Sequence, residues 1–137
     1  MTITHSAGAP PFLTVEEAQA HFDSRAALYN DRNVEAILDG LEDDAEIHYG
    51  DLPVMHGKKA FEPVLRKRLE SFTCYHLQKT VRLVQGNVVL TELDIQWAGE
   101  ASQGQPRRTR AFEILTFRGK KLAKWELVSS PRPPNLP

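Results

Sequence analysis

Apolar residues recur at helical spacing in the first half of the chain and at alternate positions in the second. Val15, Ala18, Phe22, Ala26 and Tyr29 form one stripe and predict a helix from Thr14 to about Asn30. Thr14 and Glu17 stand at its start with the spacing of a capping box. Val34, Ile37, Leu38 and Leu41 predict a short second helix. Phe61, Val64, Leu65, Leu69 and Phe72 predict a third over roughly 59–72. Pro63 suits that helix only near its start, where a missing N–H is not needed.

The stretch LEDDAEIHYGDLPVMHG, residues 41–57, separates the second and third helices. Ala45, Ile47 and Tyr49 share one face of a short strand, and Glu46 and His48 the other. Gly50 ends that strand, Pro53 stiffens the loop, and Gly57 precedes the third helix. Tyr49 at the inward strand end, under a loop carrying Met55 and His56, predicts a pocket wall. Beyond it, strands are predicted at 73–84, 88–98, 107–117 and 121–129, with turns at Gln85-Gly86-Asn87 and Arg118-Gly119-Lys120. A polar loop fills 99–106. Helices first and an antiparallel meander afterwards predict an α+β fold, with three helices packed on one face of a curved sheet.

Composition narrows this picture. A chain of 137 residues suits one domain with a real core, expected over 14–130 between a flexible arm at 1–13 and a proline-rich tail at 131–137. The net charge of −1 supplies no field for nucleic acid or membrane. No apolar run is long enough to span a bilayer, and MTITHSAGAPPF lacks the features of a secretory signal. The single cysteine, Cys74, leaves no intramolecular disulfide and reads as structural. A soluble, cytoplasmic protein is expected. The run Arg66-Lys67-Arg68 reads as a solvated face, because no aromatic platform accompanies it.

Several residues carry candidate chemistry. Arg25 lies on the apolar stripe of the first helix, either snorkelling to water or pointing inward to meet a carboxylate. Glu113 shares a strand face with Ala111, Leu115 and Phe117, so it is either at a wet strand end or buried. Glu92, Asp94 and Gln96 share a face opposite Val89, Leu93, Ile95 and Trp97; alternation alone puts the acids in water. Of the five histidines, His48 and His76 face away from the apolar side, and His56 is a candidate for proton transfer over the pocket mouth. No histidine pair has metal-ligand spacing, so neither a metal site nor a cofactor is expected.

Ala26-Ala27-Leu28-Tyr29-Asn30-Asp31-Arg32-Asn33, Leu41-Glu42-Asp43-Asp44-Ala45-Glu46-Ile47, Gly57, Val81-Arg82-Leu83-Val84, and Phe117-Arg118-Gly119-Lys120-Lys121-Leu122 before Trp125 together carry a resemblance. Over about residues 14–129 the chain resembles the nuclear-transport-factor-2-like, or SnoaL-like, superfamily. That resemblance implies a cone, a bent sheet around a cavity closed by the first and third helices. Members include ketosteroid isomerase, limonene epoxide hydrolase, scytalone dehydratase, polyketide cyclases and non-catalytic assembly modules. In the ketosteroid isomerase pattern, the position of Arg25 holds a tyrosine that stabilises an oxyanion. Glu113 matches that family's protonated aspartate, and Tyr49 replaces its catalytic base. Thr91-Glu92-Leu93-Asp94-Ile95 is similar to a limonene epoxide hydrolase strand: Asp94 matches its aspartate, Glu92 stands where an arginine precedes it, and Leu127 replaces the second aspartate.

The resemblance thus implies that Asp94 and Glu92 face the cavity and that the convex sheet face makes a homodimer. The row Val89, Leu93, Ile95 and Trp97, joined by Phe112 and Ile114, is the expected dimer patch. The expected function is cofactor-free acid–base chemistry on a mostly apolar small molecule: isomerisation, dehydration, cyclisation or epoxide opening. Asp94 or Glu113 would handle the proton, Arg25 would lie within reach of Asp94, Glu92 or Glu113, and Tyr49 would donate a hydrogen bond. Phe22, Tyr29, Met55, Phe61, Tyr75, Leu115 and Trp125 would shape the pocket. The alternative is a non-catalytic ligand-binding or dimerisation module of the same fold.

Overall fold

The structure is a computed structural model, and it describes residues 10–129. Helix α1 (Val15–Asn30) starts where the Thr14 hydroxyl accepts the Glu17 N–H at 3.0 Å, while Glu17 reaches back to the Leu13 N–H. Helix α2 (Val34–Asp39) is capped by Asn33. It stops at Gly40, so Leu41 opens the next strand instead of ending the helix. Helix α3 (Lys58–Glu70) follows Gly57, which sits at φ 90° with the Asp43 carbonyl 2.9 Å from where a Cβ would be. Only glycine fits both conditions.

The strands are β1 (Leu41–Tyr49), β2 (Met55–His56), β3 (Phe72–Gln85), β4 (Val88–Gly99), β5 (Arg107–Arg118) and β6 (Lys121–Ser129). They form one sheet in the order β2-β1-β6-β5-β4-β3. The meander is antiparallel as expected, but β1 runs parallel to β6, so the sheet is mixed. Three helices pack against this curved, unclosed six-stranded sheet. The predicted polar loop holds a short 3₁₀ turn, Glu100–Ser102.

The outermost strand β3 has its backbone covered by α1. The Asn30 amide bonds both the N–H and the C=O of Leu77, at 2.7 and 3.1 Å. Gln19 does the same for the Lys79 carbonyl and the Val81 N–H, both at 2.8 Å. Two side-chain amides thus do the work of a missing neighbour strand and protect an edge that would otherwise template pairing. They also fix the backbone on either side of Lys79.

The core differs from expectation at two places on the N-terminal side. Val15 is exposed at 44%, so the α1 stripe begins at Ala18. Phe12, expected in a flexible arm, is 2% exposed and packs edge-on against Phe117, 5.4 Å between centroids, and beside His21 and Phe22. The aromatic side chain finds more apolar surface on the sheet than in water, and the chain before α1 follows it. Residues 1–9 of the predicted arm and the whole predicted tail, 131–137, lie outside the described residues.

Candidate functional site

Alternation along the strands decides what enters the cone. On β3 the inward positions run Leu77, Lys79, Val81; on β4 Thr91, Leu93, Ile95; on β5 Ala111, Glu113, Leu115. Glu113 is therefore placed by a strand that is apolar on both sides of it, and it is 0% exposed. Its two oxygens are engaged by three donors. The Lys79 ammonium donates to Oε1 at 3.0 Å and the Thr91 hydroxyl to the same oxygen at 2.8 Å. The Trp125 indole donates to Oε2 at 2.8 Å. Lys79 is only 7% exposed, with its Nζ 5.7 Å from the Phe22 ring centre and 5.3 Å from that of Tyr29. The site is a buried ion pair, roofed by aromatic faces that favour the cation.

Two cavities flank the pair. The first, about 40 Å³, lies toward α1 and α2 and is bordered by His21, Phe22, Arg25, Leu115, Lys120 and Trp125. The second, about 30 Å³, lies toward α3 and is bordered by Tyr49, Phe61, Leu65, Arg68, Tyr75 and Leu127. Tyr29, Lys79, Glu113 and Trp125 border both. The ion pair is the partition between two small spaces, and a group entering either one meets it.

Titratable groups around the cavities are held in their neutral forms. Burial pushes the His21 imidazole down to about 4, helped by the nearby Arg25, Lys120 and Lys79 cations. Burial raises the Tyr49 phenol to about 12, with Arg68 opposing. Tyr75 is raised in the same way, burial first and Arg68 opposing. Tyr29 is also raised, by burial and then by the Glu113 charge. Neutral phenols are hydrogen-bond donors. Among the described residues none of these three hydroxyls is bonded to protein and none is sealed without a partner, and all three tyrosines border the second cavity.

The predicted site residues divide sharply. Glu113, Tyr29 and Trp125 meet at the partition; Phe22 and Leu115 border the first cavity; Tyr49, Phe61 and Tyr75 border the second. Asp94 and Glu92 are a correction: they lie on the outer face, away from the cone. Asp94 pairs with Arg108, and Glu92 with Arg82 and Arg110, and these guanidinium groups hold both carboxyls below their usual range. The inward face of β4 belongs to Thr91, Leu93 and Ile95, as plain alternation requires. The expected dimer row is corrected for the same reason, since Val89, Leu93 and Ile95 are 0–4% exposed in the core.

Arg25 is the third correction. Among the described residues it meets no acid; its guanidinium donates to the Ala36 and Ile37 carbonyls at 3.2 and 2.8 Å, closing the last turn of α2. A cation at a helix C-terminus is favoured by the unsatisfied carbonyls there. Met55 and His56 form the edge strand β2 and border neither cavity, and His56 is exposed. Two residues were not foreseen, Lys79 and Arg68. Lys79 stands in the apolar register between Leu77 and Val81, which is a readable signal. Arg68 was read as part of a solvated run, yet its guanidinium lies 5.3 Å from the ring centres of both Tyr49 and Phe72. Cys74 is exposed. Among the described residues no three His, Cys, Asp or Glu side chains gather as a metal ion needs, and no helix is long and apolar enough to cross a membrane.

Residues 18–125 match the family model of the SnoaL-like domain. No curated protein matches the chain by sequence. Among solved structures the chain is similar to a candidate polyketide cyclase from Xanthomonas campestris pv. campestris, with TM-score 0.74 and 16% identity over 85% of this chain and 92% of that one. It is similar to a protein with a ketosteroid isomerase-like fold from Catenulispora acidiphila, with TM-score 0.70 and 15% identity over 80% and 84%. It is also similar to the epoxide hydrolase/cyclase-like enzyme SalBIII of pyran-ring formation in salinomycin, with TM-score 0.71 and 14% identity over 84% and 92%. At these identities the likeness is one of fold.

Proposed function

The chain belongs to the SnoaL-like domain family, and from that premise we propose that it is a small-molecule enzyme using acid–base chemistry on a mostly apolar organic substrate. The observation that carries this reading is Glu113, fully buried, held by three donors and bordering both cavities. A carboxylate so placed takes a proton from a substrate carbon or hydroxyl at the partition. The Lys79 ammonium and the Tyr29 hydroxyl supply hydrogen bonds to an oxygen on which negative charge develops. Isomerisation, dehydration, cyclisation and epoxide opening all use that pairing of a base with donors.

A direct test is proton exchange into an apolar ketone probe. 2-Tetralone in deuterated buffer is followed by NMR with and without the protein. Catalysed exchange at the α-carbon that falls about 100-fold or more in Glu113→Gln supports the reading. Exchange no faster than buffer, across a panel of apolar ketones and epoxides, ends it. The small cavities and the engagement of Arg25 within the fold favour a second reading, a binding module, which that outcome would leave standing.

We also infer a homodimer through the outer sheet face. Phe112, Ile114, Leu83 and Val128 are 39–63% exposed there, interleaved with the Arg82–Glu92–Arg110 and Asp94–Arg108 pairs. A monomeric mass by light scattering at micromolar concentration would refute it.

A further inference from the structure

The second cavity is a container with apolar walls and a mouth made of hydrogen-bond donors. Its deep lining is Phe61, Leu65, Leu77, Leu93 and Ile95, all buried. The lining residues that reach solvent are Tyr29, Tyr49, Arg68, Tyr75 and Leu127, so the mouth lies among them and all but Leu127 carry donors. Among the described residues Arg68 has no carboxylate in ion-pair range, whereas Arg66 beside it is paired with Glu62 and Glu35. The Arg68 head is held in place, stacked 5.3 Å from both the Tyr49 and Phe72 ring centres, and its charge is close enough to act on the Tyr49 and Tyr75 phenols. A guanidinium with its planar fork unpaired, over the ring of the Tyr49 phenol and near that of Tyr75, is built to receive acceptor oxygens.

The first cavity also has cations at its edge, but they are engaged. Arg25 donates to two carbonyls of α2, and Lys120 lies 4.0 Å from Glu17. Deeper in, Lys79 is neutralised by Glu113. Among the described residues Arg68 is thus the cation bordering the cavities whose guanidinium has no carboxylate or carbonyl of the protein as partner.

From this geometry we propose that the second cavity binds an organic anion with an apolar ring body, its carboxylate or equivalent oxyanion on Arg68, Tyr49 and Tyr75. The proposal rests on reading the cone as a substrate pocket and adds the class of molecule it takes. The charge order fixes the pose. Arg68 attracts the anion at the mouth, whereas Glu113 and Lys79 on the floor cancel each other's charge and offer an anion nothing, so the apolar end points inward. The end that meets Glu113 and Lys79 is the one remote from the anionic group. The enclosed space is small, so the partly exposed Tyr75 swings aside as the ring goes in, while Arg68 stays over Tyr49 and Phe72.

The test uses 2-naphthoate and its neutral analogue 2-naphthamide, titrated separately into the full chain. Binding is followed by the NMR signal of the Trp125 indole N–H, one of two tryptophans and the one beside the cavity. The expected result is that both move that signal and that naphthoate binds roughly tenfold tighter or more, as a charge-assisted pair requires. Arg68→Met should erase the difference, and Arg68→Lys, which keeps the charge but loses the fork, should retain part of it. Equal affinities in the parent chain would overturn the proposal, as would a preference that survives in Arg68→Met, or the failure of either compound to move Trp125. Binding is read without turnover. A chain that prefers naphthoate through Arg68 and exchanges no protons keeps this inference and loses the catalytic one.

Discussion

Replacing Lys79 with methionine removes one charge from the partition and keeps most of the volume. At the observed 3.0 Å, two unit charges attract by about 5–6 kcal/mol at an effective dielectric of 20. Most of that gross attraction offsets the desolvation of both ions, so the pair itself is a weak net stabiliser. Breaking it is different, because Glu113 is 0% exposed and stays behind. Removing one partner of such a pair costs about 3–5 kcal/mol. Thr91 and Trp125 go on donating to Glu113, which places Lys79→Met near the lower end, about 3 kcal/mol. The assay is urea unfolding at pH 7, read as a shift in midpoint at unchanged slope. The double variant Lys79→Met/Glu113→Gln should recover about 2 kcal/mol of the loss, since no buried charge remains. A single variant within about 1 kcal/mol of the parent, or a double variant no better than the single, would show that the ion pair is not the buried unit described here.

Four further outcomes follow from the same structure. Arg25→Met should destabilise by about 2 kcal/mol through the two lost carbonyl bonds. Gly40→Ala should cost a similar amount and add little to it, because the new Cβ would fall 2.5 Å from the same guanidinium; additive losses in thermal unfolding would contradict this. Asp94→Asn should leave probe exchange and naphthoate binding unchanged, since Asp94 faces Arg108 on the outer side; a tenfold loss in either assay would restore it to the pocket. His21, at about 4 when folded and 6.5 otherwise, makes the unfolded chain the better proton binder in that interval. Stability should therefore fall as pH drops from about 6.5 to about 4, by ~1 kcal/mol once solvent screening at this half-exposed ring is allowed for, and His21→Phe should flatten that part of the pH profile.

The elements were legible because each carries its period and its punctuation. Thr14 begins α1, Gly57 begins α3, and Gly86 and Gly119 stand at the turns where strands reverse. What periodicity does not give is the partner of a strand distant in sequence, and the parallel contact of β1 with β6 was missed for that reason. Alternation along β4 pointed Glu92 and Asp94 outward, which is where they lie. The resemblance to an epoxide hydrolase strand reversed that reading and was wrong at both residues, because the acids have arginine partners on the outer face of the neighbouring strands. Arg25 shows another limit. Its stripe position left it between water and a buried carboxylate, but backbone carbonyls carry no mark in a sequence, and they were what it met.

Lys79 and Glu113 carry a lesson of the opposite kind. Each stands alone in an otherwise apolar strand register, and each taken singly has an ordinary reading, a snorkelling amine or a wet carboxylate. Together they have one reading only, since a buried cation and a buried anion with apolar neighbours are tolerable only as partners. The sheet order puts β4 between β3 and β5, so inward residues on those two strands, Lys79 and Glu113, meet diagonally across it, with Thr91 of β4 supplying the third contact. Such a pair is weak evidence for stability, because apolar residues of the same volume would hold the fold about as well. Its retention between two cavities, under three phenols whose hydroxyls have no partner among the described residues, makes a role toward a bound molecule the better account of why charge is kept there.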